Sequence, residues 1–174
     1  DSIPFETLTN KYIEYSKKHK SEKTLKSEVT SFNLYSKDWF NKRISLIKKD
    51  DVRKKHQEIH DNHGLYSANS WLSYLSSMYN KAINLWGLEI ENPAIGIKKF
   101  KEKSRDRFLQ PEELPRFFDV LEKIATPQVK NYVYLSLLTG ARKSNVLSMR
   151  WEEISFENMT WRIPKTKNGE ALTL

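Results

Sequence analysis

Apolar residues recur at helical spacing through the first half of this chain and change their period in the second. Phe5, Leu8, Tyr12 and Tyr15 share one face, predicting a first helix with Pro4 at its first helical position. Leu25, Val29, Phe32, Tyr35, Trp39, Phe40 and Ile44 predict a longer second helix from about Ser21, with Lys23, Lys26, Ser27, Thr30 and Asn33 on its polar side. A third runs from an Asp50 cap through Val52, His56 and Ile59 to a stop at Gly64. The fourth, from near Ser67, carries the richest stripe: Trp71, Leu72, Leu75, Met78, Tyr79, Ala82, Ile83 and Trp86, closed by Gly87. Four amphipathic helices on short connections predict a small bundle over residues 1–97.

Glu91-Asn92-Pro93-Ala94 then breaks the helical period, and residues 98–107 read as a basic connector between domains. A second unit, 108–174, opens with Pro111-Glu112-Glu113 behind Gln110, followed by Leu114, Phe117, Phe118, Leu121 and Ile124 as the buried side of a helix. Thr126-Pro127 starts another, whose Val129, Tyr132, Val133, Leu135, Leu137 and Leu138 predict a helix buried on most sides. A short helix over about Lys143 to Met149 follows. Strand-like stretches then come at Trp151 to Phe156, Met159 to Pro164 and Ala171 to Leu174, giving a mainly α fold with a small antiparallel β-sheet.

Charge narrows the class of partner. The chain has 174 residues, a formal net charge of +8 and a sequence pI near 9.5, which favours a polyanion. Residues 98–107 concentrate that charge: Lys98, Lys99, Lys101, Lys103, Arg105 and Arg107 face two acids, a net +4. With no cysteine, disulfides and thiolate metal sites are excluded; His56 and His60, at i and i+4, have no partnering motif, so no metal site is expected. No stretch is long and apolar enough for a membrane span, and the first 20 residues are too polar for a secretory signal, so a cytoplasmic protein with no membrane partner is expected.

Candidate chemistry sits in the second unit. In Leu137-Leu138-Thr139-Gly140-Ala141-Arg142, the glycine is placed to end one helix and aim the arginine out of the core. Lys165-Thr166-Lys167-Asn168-Gly169 lies between two strand-like stretches, and Asn-Gly there predicts a hairpin with Lys167 at its tip; Lys165 is the alternative if the register shifts.

These placements, with Arg107-Phe108-Leu109-Gln110-Pro111-Glu112-Glu113-Leu114 ahead of them, resemble the tyrosine recombinase (phage integrase) family over nearly the whole chain. The resemblance implies a four-helix SAM-like core-binding domain followed by the N-terminal half of an α+β catalytic domain, truncated before the family's His-x-x-Arg motif and tyrosine nucleophile. It implies that Arg142 binds the scissile phosphate and that Lys167 protonates the departing 5′ oxygen. It implies that the second and fourth helices face duplex DNA, which nominates Lys23, Thr24, Lys26, Ser27, Ser67, Asn69, Ser70 and Ser73. The basic connector, Lys143 and Lys165 complete the expected contact set.

Such an enzyme needs no cofactor, because the phosphodiester is exchanged for a 3′-phosphotyrosine of similar energy. What the protein supplies is a guanidinium fork on the charge that builds at the phosphate, and a proton for the leaving alkoxide. The expected function is site-specific recombination that integrates or excises a phage or mobile element, as a homo-tetramer on DNA when intact. This fragment, a monomer or weak oligomer, is expected to bind DNA without cutting it. The family often has an acid three residues after the arginine, where this chain has Asn145, and Trp151 is expected to serve packing. The competing expectation is a non-catalytic DNA-binding protein or regulator derived from a recombinase, with no need of Arg142.

Overall fold

The computed structural model describes residues 3–166 and 169–174. The chain divides into two compact units, residues 1–105 and 106–174.

In the first unit, four helices, α1 (Phe5–His19), α2 (Glu22–Tyr35), α3 (Lys49–His63) and α4 (Leu65–Asn84), close on one core. Phe5, Leu8, Tyr12, Phe32, Val52, Trp71, Leu75, Met78 and Tyr79 are fully buried there. Each large apolar side chain removed from water contributes about 1.5–3 kcal/mol, against about 0–1 kcal/mol for an exposed ion pair. The aromatic-rich core therefore holds the bundle together, and its surface pairs add little.

The second helix is shorter than its apolar pattern predicts. It stops at Tyr35, and two 3-10 turns follow, Lys37–Trp39 and Ile44–Leu46. Packing explains the break. Trp39 and Phe40 reach back to Phe5, at ring distances of 5.8 and 6.4 Å, and the Ser36 hydroxyl accepts a 2.8 Å bond from the Trp71 indole. A continuous helix would carry both rings past Phe5. The returning main chain also pairs with the segment ahead of α1, through Phe5 N to Lys42 O and Ile44 N to Ile3 O. Pro4 accordingly forms an isolated bridge with Arg43 and stands at the N-cap of α1, so the helix begins at Phe5, one residue later than expected.

The cap of α3 is Lys48 rather than Asp50: the Asp51 carboxylate accepts from the Lys48 amide at 2.9 Å, while Asp50 pairs with Arg53. Gly64, at φ +84°, ends α3 and starts α4 in a single residue, so α4 begins at Leu65, ahead of the expected Ser67. A left-handed φ of that kind suits glycine, which has no Cβ to clash. The last turn of α4 ends at Asn84, before Gly87.

The second unit contains α5 (Leu114–Ile124) behind a 3-10 turn at Pro111–Glu113, then α6 (Pro127–Thr139) and α7 (Lys143–Leu147). A further 3-10 turn, Trp151–Glu153, leads into β1 (Ile154–Ser155), β2 (Thr160–Ile163) and β3 (Leu172–Thr173). The strands form an antiparallel sheet in the order β1-β2-β3, with Arg162 opposite Thr173 and Ile163 opposite Leu172. Alternation along β2 turns Trp161 and Ile163 inward, where they meet Val146 of α7 and the partly buried Tyr132, Leu135, Ala141, Met149 and Ile154.

Two burial expectations fail in this unit. No residue of α6 is buried, and Leu138 is 83% exposed, because only its Tyr132 and Leu135 side has α7 and the sheet to pack on. On α5 only Leu121 is buried, and Ile124 remains 78% exposed.

Candidate functional site

The turn that carries Arg142 is built from local backbone signals. Gly140 adopts φ +63°, ψ 10°, and its amide donates to Ser136 O, which ends α6 in the left-handed conformation. The Thr139 hydroxyl ties the turn on both sides, donating to Leu135 O and accepting from the Ala141 amide at 3.2 Å. Arg142 then caps α7 with extended backbone, its carbonyl accepting from Asn145 N at 2.8 Å and Val146 N at 3.2 Å. Its flanking residues Ala141 and Val146 are packed into the core of this unit. A fixed backbone thus presents an exposed guanidinium, which has no ion-pair partner among the described residues.

Asn145 is buried, and among the described residues its side chain makes no hydrogen bond to Arg142, so their connection runs through the backbone. Lys143 is exposed beside Arg142. Trp151 departs from its expected packing role: it is 77% exposed and, among the described residues, stacks on the exposed Phe156 at 6.4 Å, because the 3-10 turn it opens lies on the surface.

Around the expected hairpin tip, Thr166 N bonds Glu170 O at 2.9 Å, Gly169 N bonds Thr166 O at 3.0 Å, and Gly169 has φ +88°. Lys167 lies outside the described residues. Lys165 is exposed at the start of this turn.

In the first unit, a groove of about 520 Å³ runs between α2 and α4. Lys23, Lys26, Ser27, Ser67 and Ser70 line it, so most of the residues nominated on these two helices meet in one place. Sequence reasoning missed its aromatic wall of Tyr35, Tyr66 and Tyr74. Two of the nominated residues serve their own helices: Thr24 bonds Ser21 at the N-cap of α2, and Ser73 donates to Asn69 O at 2.8 Å.

Asn69 corrects its expected role. It is 2% exposed and faces the chain, not solvent. Its Oδ1 accepts from Phe100 N at 2.9 Å, and its Nδ2 donates to Phe100 O at 2.9 Å and Glu102 Oε1 at 2.8 Å. The phase signal was present in the sequence, since Asn69 stands three residues before Leu72 and in step with the apolar stripe. His56, 3.3 Å from Asn69 Oδ1, is buried and stacked on Phe100. Burial holds its imidazole below the usual histidine range, despite the Asn69 hydrogen bond that opposes the shift. His60 also packs on Phe100 and lies 3.1 Å from Asp61, so the two histidines spend their i, i+4 face on an aromatic ring.

Of the connector cations, Lys98, Lys99, Lys101, Lys103 and Arg105 are exposed and form no ion pair among the described residues. Arg107 differs, pairing with Glu113 at 2.5 Å. The Gln110 amide and then Arg107 hold the Glu113 carboxyl below its ordinary range.

Comparison with known proteins bears on these placements. Residues 107–174, which carry both Arg107 and the Arg142 turn, match the model of the phage integrase family. Through these residues the chain is similar to the phage integrase family. It is 37% identical over 106 residues to a shufflon-specific DNA recombinase of Escherichia coli, covering 58% of this chain and 26% of that protein. An integrase of Salmonella phage P22 is 28% identical over 103 residues, covering 58% and 25%. The chain thus spans less than half the length of the curated integrases it matches. Among solved structures, a lambda integrase dimer bound to a COC′ core site superposes with a TM-score of 0.80 at 17% identity, over 100% of this chain and 49% of that one. The Tn1549 transposon integrase with transposon right end DNA gives 0.76 at 16%, over 99% and 57%. At such identity the likeness establishes the shared integrase fold.

Proposed function

We propose that this chain is the duplex-binding and phosphate-activating part of a site-specific DNA recombinase. The observation that carries the reading is the exposed Arg142 guanidinium, held on a backbone turn that the unit's core fixes on both sides. A planar fork of donors can bind two non-bridging oxygens of one phosphate and follow them as charge builds in the pentacoordinate transition state. Lys167 supplies the proton that the leaving 5′ oxygen needs at neutral pH, and Lys165 and Lys143 add positive potential. The α2–α4 groove and the connector grip the duplex, with ammonium groups on phosphates and hydroxyls as neutral donors.

In this reading the cut strand is held as a phosphotyrosine, and the nucleophile comes from a part of the recombinase that the family places after the hairpin. A tetramer on DNA is the assembly in which exchange occurs. The test is Arg142→Ala in the full-length protein, scored for strand exchange and for duplex binding. Loss of exchange with affinity kept within about threefold supports the reading, since one exposed contact among many carries little binding. Unchanged exchange overturns the role given to Arg142, and a full-length wild-type protein that binds duplex without exchanging strands leaves a DNA-binding protein.

A further inference from the structure

The Asn69 bonds do more than fill a buried amide. Its side chain grips residue 100 at both the amide and the carbonyl, as a neighbouring strand would, and takes the Glu102 carboxylate with the same Nδ2. Phe100 is held from its other side by His56 and His60 of α3, at ring distances of 4.5 and 4.1 Å. Further along, the Tyr66 hydroxyl donates to Lys103 O at 3.3 Å. The first half of the connector is therefore fastened to α3 and α4, although it contains no helix or strand.

The fastened side chains alternate with the cations. Phe100 and Glu102 turn onto the bundle, while Lys99, Lys101 and Lys103 stay exposed. Residues two apart in a chain span at most about 7 Å, so this arrangement holds the backbone of the three lysines in a close row. Glu102, the one acid within residues 98–105, is drawn onto Asn69 and out of that row.

Resting on the DNA-binding reading, we propose that Asn69 and Phe100 are positioning residues for nucleic-acid binding: they touch no DNA and hold Lys99, Lys101 and Lys103 in register for a phosphate backbone. Pre-set cations bind without first losing the freedom of a loose segment, so the clasp raises affinity and the number of phosphates engaged together.

The experiment measures binding of chain 1–174 to a labelled random-sequence duplex by fluorescence anisotropy between 50 and 200 mM NaCl, a range in which each phosphate contact changes the slope by about 0.9. Asn69→Ala and Phe100→Ala are expected to weaken binding about tenfold at 100 mM and to flatten the salt slope by about two contacts. Phe100→Trp, which keeps a ring between the histidines, restores both. Lys101→Ala weakens wild type but costs nothing further in Asn69→Ala, a coupling that a merely structural role for Asn69 would not produce. Without DNA, trypsin cleaves the connector faster in both alanine variants.

If Asn69→Ala loses its circular-dichroism signal, Phe100→Ala decides alone, because Phe100 is only partly buried. Wild-type affinity and slope in the alanine variants overturn the positioning role while leaving DNA binding intact. A wild-type chain that fails to bind the duplex overturns the DNA-binding reading itself, and the positioning role with it.

Discussion

At the scale of single residues, Arg142 and Gly140 divide the work of one turn. Arg142 is exposed and supports no core contact, so Arg142→Lys should leave the melting temperature of the chain unchanged. A lysine keeps the charge and loses the fork. Single-turnover cleavage of a suicide substrate by full-length Arg142→Lys is expected to slow about 10²- to 10³-fold, the usual cost of removing a preorganised donor from a developing charge. Gly140→Ala tests the scaffold instead. A Cβ there meets nothing within 4 Å, so the substitution costs backbone strain alone, about 1–2 kcal/mol for a left-handed residue, read as a small drop in the second unit's melting temperature. This turn was legible in the sequence because its signals are local: a glycine after an apolar helix, then the arginine. Asn69 was misread for the opposite reason. Its partners lie 31 and 33 residues away, so polarity suggested a wet surface where helical phase pointed inward.

Among elements, the helices of the first unit were readable and their ends were not. The apolar stripe through Trp39, Phe40 and Ile44 signals burial correctly, yet aromatic packing on Phe5 decides that the chain bends there. Glu28 shows the same limit. It stands between Leu25 and Phe32 on the apolar face and is 1% exposed, bonded to Lys20 and to the Tyr12 hydroxyl. Removing the cation strands a buried carboxylate. Lys20→Ala should therefore cost about 3 kcal/mol in urea unfolding, the low end for a broken buried pair because Lys20 keeps some solvent. On α3, His56 folds neutral, with a pKa below the ordinary 6.5. The unfolded chain binds that proton more readily, so the stabilisation is present above about pH 6.5 and is lost as pH falls through the folded value. The urea midpoint of the first unit should drop between pH 7.5 and 5.5, and His56→Gln should flatten that drop. The depressed carboxyls of Asp61, Glu113 and Glu122 act only in more acid solution, below their ordinary 3.8 to 4.5, and do not blur the window.

For the whole molecule, the five connector cations that form no ion pair among the described residues, together with the α2–α4 groove, predict duplex binding dominated by counterion release. If those five lysines and arginines each meet a phosphate, the plot of log affinity against log salt has a slope of about −4 or steeper. An anisotropy titration that stays flat across 50 to 200 mM NaCl, the range over which that release is pronounced, would contradict it. The structure divides the chain between residues 105 and 106, within the stretch of dense charge that lies between the two apolar patterns. How far each pattern is covered was not legible in the sequence, since cover depends on what neighbours an element meets, as α6 demonstrates.

The bare apolar side chains of the second unit set how the chain behaves in a tube. Leu138, Leu137, Ile124 and Val129 lie open to water, a surface that sulfate drives toward self-association by being excluded from it. The same anion at the same concentration screens the lysines and strips the chain from nucleic acid. Ammonium sulfate should thus release bound duplex and precipitate the freed protein in one step, whereas sodium chloride at the same ionic strength should release it and leave it dispersed.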